Sequence, residues 1–175
     1  MKNKELLLPL ALVGGAILLI TKRGTQVPSS PGSAPGGSGP RGVRNNNPGN
    51  LILTNIPWRG KIPNEQNTDG KFEQFTQVVY GVRAMMKDLI TDIGRGDNTI
   101  LKLMYQYAPP NENPTESYIR GIEQMTGTNR NTIINPLDSN FKKLVQAIAN
   151  FENYGIKPLD YTIKNSVYEQ AKSLI

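Results

Sequence analysis

Apolar residues recur at intervals of three and four along much of the chain between residues 78 and 174, and this spacing predicts five helices. The first, about 78–93, carries Val82, Met85, Met86, Leu89, Ile90 and Ile93 as one stripe, with Gly94 to stop it. The second, about 98–107, starts near Asp97 or Asn98, presents Ile100, Leu101, Met104 and Tyr107, and is closed by Pro109 and Pro110. The third opens on Asn113-Pro114-Thr115-Glu116, with Asn as cap, Pro at the first position and Glu at the third, and runs to about Thr126 before Gly127. The fourth, about 138–152, holds Phe141, Leu144, Val145, Ile148 and Phe151; the fifth, about 163–174, turns Ile163, Val167, Tyr168, Ala171 and Leu174 inward, with Asp160 as its cap. Strand signal is slight. Residues 41–51 have the Asn, Gly and Pro content of a loop, and 52–58 leave room for a short extended piece. The stripes supply enough apolar surface for one core, so residues 41–175 are expected to form a mostly α domain.

The fourth helix ends in Glu152. At 100° per residue this side chain projects near Phe141, Val145 and Ile148, on the edge of the apolar stripe. Partial desolvation and the negative end of the helix dipole both disfavour its charged form. A carboxylic acid that keeps its proton near neutral pH is what general acid catalysis on an ether oxygen requires. The plain alternative is a helix-end Glu that leans into solvent.

The segment before this domain has a different character. Residues 6–20, LLLPLALVGGAILLI, contain no charge and are flanked by Lys2, Lys4, Lys22 and Arg23. As a helix they would span about 22 Å against a bilayer core of roughly 30 Å, a gap that snorkelling lysines can close. Residues 1–23 are therefore expected to be an uncleaved membrane anchor, a single transmembrane helix; a cleaved signal peptide is the rival. Residues 24–40, GTQVPSSPGSAPGGSGP, are a Gly/Pro/Ser linker that cannot bury enough surface to order itself.

Composition narrows the chemistry. The sequence of 175 residues contains neither cysteine nor histidine, which excludes disulfides, thiolate or histidine metal sites and Ser-His-Asp chemistry. No metal and no cofactor is expected, and carboxylates are left as the acid and base groups. The net charge is +6, but the flanks of residues 6–20 hold four of the basic residues, and the remainder is scattered, without the basic face that nucleic acid requires.

Several motifs then carry a resemblance. Arg44-Asn45-Asn46-Asn47-Pro48-Gly49-Asn50-Leu51, Trp58-Arg59-Gly60, Phe72-x-x-Phe75 with Gly81-Val82-Arg83-Ala84, and Tyr107-Ala108-Pro109-Pro110 with Glu112, Asn113, Thr115 and Tyr118 resemble a domain of bacteriophage virion proteins that is similar to lysozyme-like muramidases and lytic transglycosylases. Leu144 to Asn153 is similar to the catalytic helix of lytic transglycosylases, with Asn153 where that family has Ser. In those enzymes the Glu helix comes first, so the match implies a circular permutation, which compact domains tolerate. The resemblance implies a lysozyme-like helical domain over 41–175, and a membrane-anchored, virion-associated protein that degrades peptidoglycan during entry, placed in a virion internal membrane or the bacterial inner membrane. Peptidoglycan, the membrane through residues 6–20 and other virion proteins are the implied partners; nucleic acid is not.

The resemblance also implies roles. Glu152 would protonate the bond between N-acetylmuramic acid and N-acetylglucosamine and then act as base, as lytic transglycosylases do with one Glu. Glu112, in a loop stiffened by prolines, is the second catalytic candidate; otherwise it accepts backbone N–H bonds. Tyr107 and Tyr118 suit sugar rings, or else fill the core with their hydroxyls at its edge. Asn47 and Asn50 are candidate acetamido binders among Asn residues that mostly build turns. Trp58 is either a core anchor or a sugar platform. Glu73 is expected in solvent, Glu116 as a capping group and Glu123 as a helix-surface charge. The rival function is a non-catalytic virion structural protein that uses the domain for wall binding or assembly.

Overall fold

The computed structural model describes residues 39–110, 114–154 and 161–175. Six helices order the described chain: α1 (Arg41–Arg44), α2 (Val78–Gly94), α3 (Ile100–Tyr107), α4 (Thr115–Thr126), α5 (Ser139–Tyr154) and α6 (Asn165–Ser173). The five long ones fall where the periodicity puts them. Residues 41–44 are a short helix within a segment expected to be loop. Extended structure among the described residues is confined to isolated antiparallel bridges such as Ile52 to Phe72 and Lys61 to Phe75.

The expected fold class needs correction. The described chain is mostly helical, but among the described residues no helix is long and apolar enough to cross a membrane. The transmembrane helix is withdrawn from the fold, and with it the membrane anchoring and membrane localisation. Residues 6–20, on which it was placed, and most of the linker 24–40 lie outside the described residues.

One apolar cluster joins α2 to α6. Val82, Met85 and Leu89 of α2, Leu103 and Met104 of α3, Ile119 and Ile122 of α4, and Leu144, Val145 and Ile148 of α5 are all buried in it. Burying one such side chain stabilises the fold by about 1.5–3 kcal/mol, so this cluster is the principal driving force. α4 packs on α5 and on α3, and α2 packs on α6. A smaller cluster of Leu51, Phe75 and Ala84, flanked by Trp58 and Tyr80, fastens the N-terminal loops to α2. The chain there runs so close that a Cβ on Gly81 would lie 1.8 Å from the Asn46 carbonyl oxygen. Only glycine fits.

The helix ends show some other differences. Thr99, not Asp97 or Asn98, caps α3, its side chain accepting from the Lys102 N–H at 3.3 Å. Gly127 closes α4 in the left-handed region with φ 63°, as its place in the sequence predicts. Glu116 does not cap α4. It accepts from Arg130 at 2.9 Å, and Arg130 also reaches Glu123 at 2.6 Å, which ties the loop after α4 back to that helix. Asp160, the expected cap of the last helix, lies outside the described residues, and Lys164 occupies the cap position.

Candidate functional site

α5 buries its apolar face against α4, and its last turn carries Glu152 into the interior, where the residue is 7 % exposed. Its carboxyl meets two donors. The Tyr118 hydroxyl of α4 donates to Oε1 at 2.7 Å. The Asn50 side-chain amide donates to Oε2 at 3.2 Å and to the Glu152 main-chain carbonyl at 3.0 Å. Burial pushes the Glu152 carboxyl up to about 7, against the pull of the hydrogen bonds from Tyr118 and Asn50, which favour its charged form.

The loop that delivers Asn50 is built for the purpose. Asn46 and Asn50 both hold positive φ, 52° and 46°. Asn tolerates this left-handed region better than other non-glycine residues. Asn47 is a brace: its amide donates to the Leu51 and Glu73 carbonyls at 2.9 Å each, and its oxygen accepts from the Leu51 N–H at 3.0 Å. It is fully buried, and these bonds tie the loop to itself and to the Glu73 main chain. Asn153 donates to the Pro48 carbonyl at 2.9 Å and to the Ala149 carbonyl at 2.7 Å.

Tyr107 and Tyr118 lie side by side, ring centroids 6.3 Å apart, and Tyr118 stacks on Phe151 at 4.0 Å. Both rings are buried and offer no open face to a sugar. Their hydroxyls point at the loop and the carboxyl: Tyr107 donates to the Gly49 carbonyl, Tyr118 to Glu152. Burial, then the nearby Glu152, raises both hydroxyls well above their ordinary value, so both stay protonated donors. The structure thus brings Glu152, Tyr118, Asn50 and Tyr107 together and leaves Asn47 as scaffold; Glu112 lies outside the described residues.

Two buried carboxyls escaped the sequence reading. Glu73, expected in solvent, is fully buried. Its Oε1 accepts from Lys61 Nζ, the Thr54 N–H and the Thr54 hydroxyl, each at 2.9 Å. Asp88 of α2 is buried beside Tyr107, with Oδ2 lacking a hydrogen-bond partner. Burial and then the negative charge of Asp92 push it up to about 7, with Arg95 opposing. Its place three residues after Met85 on the apolar stripe was the signal available for it.

No family model matches the chain. Over 125 residues it is 34 % identical to Protein P5 of Pseudoalteromonas phage PM2, an overlap that covers 69 % of this chain and 75 % of that protein. The chain belongs to the phage PM2 protein P5 family. The phage character expected from the sequence is thereby shown, while the similarity adds no support for a lysozyme-like domain.

Proposed function

We propose that this P5-family chain is a virion-associated enzyme that cleaves the glycan strands of peptidoglycan, with Glu152 as its general acid. The observation that carries the reading is the Glu152 carboxyl: an acid at the end of α5, buried, pushed by that burial up to about 7, and held by two neutral donors. The proton of Glu152 passes to the bridging oxygen as the C1–O bond breaks. Tyr118 and Asn50 then stabilise the carboxylate left behind. That carboxylate takes a proton from the attacking hydroxyl, either of water or of the sugar's own 6-position, and the acid is restored. The similarity to a phage protein supports the virion association, and the resemblance of Leu144 to Asn153 to a transglycosylase catalytic helix supports the substrate class.

A non-catalytic virion component is the second reading. One observation favours it: both Glu152 oxygens already accept hydrogen bonds within the protein, as a purely structural buried acid would require. The deciding experiment is release of soluble glycan fragments from purified sacculi by the full chain. Glu152→Gln should lower the rate by about 10²-fold or more. Sacculi bound by the wild type without fragment release would favour the structural reading.

A further inference from the structure

We infer that Asn153 is a positioning residue: by fastening the Pro48 carbonyl to the end of α5, it holds the Asn50 amide on the Glu152 carboxyl. The inference deepens the glycan-cleaving reading, yet its first readout does not require activity. Asn153 follows Glu152 on α5, and its amide reaches the same loop that carries Asn50. Its amide spans two carbonyls, Ala149 in its own helix and Pro48 in the loop, at 2.7 and 2.9 Å. Two residues further along that loop, Asn50 returns to α5 and donates to Glu152 twice, at 3.0 Å to the main chain and 3.2 Å to the carboxyl. Residues 152 and 153 therefore grip residues 50 and 48 in a crossed pair of bonds.

The grip is close. Gly42 of α1 faces it from the third side. A Cβ there would lie 2.5 Å from Asn153 Oδ1, 2.8 Å from Asn50 Oδ1 and 2.8 Å from the Asn47 carbonyl oxygen. Both amide oxygens are buried without a hydrogen-bond partner. Such a cost is tolerated when the amide N–H groups must face the other way, and here they face Pro48, Ala149 and Glu152. The groups that act on the carboxyl come from separate elements: Tyr118 from α4 and Asn50 from the loop by hydrogen bonds, with Tyr107 of α3 beside Tyr118 and Asp88 of α2 acting on Tyr107 from beyond it. Asn153 carries no charge, and its amide donates to Pro48 and Ala149, so its link to the Asn50 amide on Glu152 runs through the loop.

The test is the titration midpoint of the Glu152 carboxyl in the full chain, read by carbon-13 NMR with Glu152→Gln to assign the signal. Asn50→Gly keeps the left-handed backbone and removes the amide; it should raise the midpoint by about one pH unit. Asn153→Ala should raise it similarly, and Asn50→Gly combined with Asn153→Ala should raise it no further than either alone. Asn153→Gln, whose longer amide can still reach Pro48, should recover part of the shift. A midpoint that ignores Asn153→Ala, or effects of the two changes that add in full, overturns the inference. If Asn153→Ala loses its helical circular dichroism, Asn153→Ser is read by the same criteria. A wild type that releases no glycan fragments but titrates as described removes the enzymatic reading and leaves the positioning role standing. A wild type that cleaves while its titration ignores Asn153 removes the positioning role alone.

Discussion

The Tyr118 hydroxyl donates to Glu152 Oε1 across the α4–α5 interface at 2.7 Å, and both groups are buried. This is a hydrogen bond to an ionisable acid inside a core, where its contribution is larger than at a surface. It favours the charged carboxylate, while burial favours the neutral acid. The balance leaves Glu152 near 7.

Removing that donor should unbalance it. In Tyr118→Phe, Glu152 loses a stabiliser of its charged form, and its midpoint should rise above about 7. Any glycan-cleaving activity should then fall, with its descending limb moved to higher pH, because the acid form persists longer but the carboxylate left after proton transfer is less stable. The pH profile of fragment release checks the direction, and carbon-13 titration checks it without activity. An unmoved midpoint would mean that the hydroxyl is a bystander.

Asp88 leads to a prediction about stability. Its folded midpoint, about 7, lies above the ordinary carboxylate value of 3.8. The fold therefore prefers the protonated form. The stability this contributes is complete below pH 4, declines as pH rises, and is gone once pH passes 7. Glu152, raised from 4.5 to about 7, acts in the same sense. Urea midpoints of the wild type should fall between pH 4 and 7. Asp88→Asn removes one of these charges, so at pH 8 it should be more stable than the wild type by roughly 2–4 kcal/mol, with the gain vanishing toward pH 4.

The buried pair of Glu73 and Lys61 should behave differently. Glu73 Oε1 collects three donors, and the Lys61 ammonium also donates to the Thr54 carbonyl. Glu73→Leu leaves a buried ammonium with no anion and should cost about 3–5 kcal/mol. Lys61→Met together with Glu73→Leu removes both charges and should recover much of that loss. Chemical denaturation of the single and double variants measures the difference. Equal losses in both would show that the Thr54 contacts, not the ion pair, hold these loops.

How much of this was legible differs from residue to residue. The stripe of α5 was readable because a long helix fixes every side chain's direction by one angle, and that angle put Glu152 beside Val145 and Ile148 before any coordinates. Glu73 was not readable. Alternation from Phe72 and Phe75 suggests an outward side chain, but the chain at this point is pinned by two isolated bridges, and Lys61 arrives from twelve residues earlier to neutralise it. Asn47 and Asn50 are the same residue type in one motif. Which becomes a brace and which meets the acid depends on where the loop crosses α5. The membrane helix was inferred from an uncharged run with basic flanks, on residues outside the described ones.

The bonds from Asn50 to Glu152 join positions 102 residues apart. Pairs so distant in sequence close late, after nearer contacts have lowered the entropy of bringing them together. Burial of Glu152 between α4 and α5 raises its proton affinity, and the Asn50 bond, closing afterwards, draws part of that rise back. Followed in time during refolding at neutral pH, proton uptake should accompany the burial of α5 and a partial proton release should follow as the Asn50 loop docks, which makes Glu152 a clock for the completion of the native state.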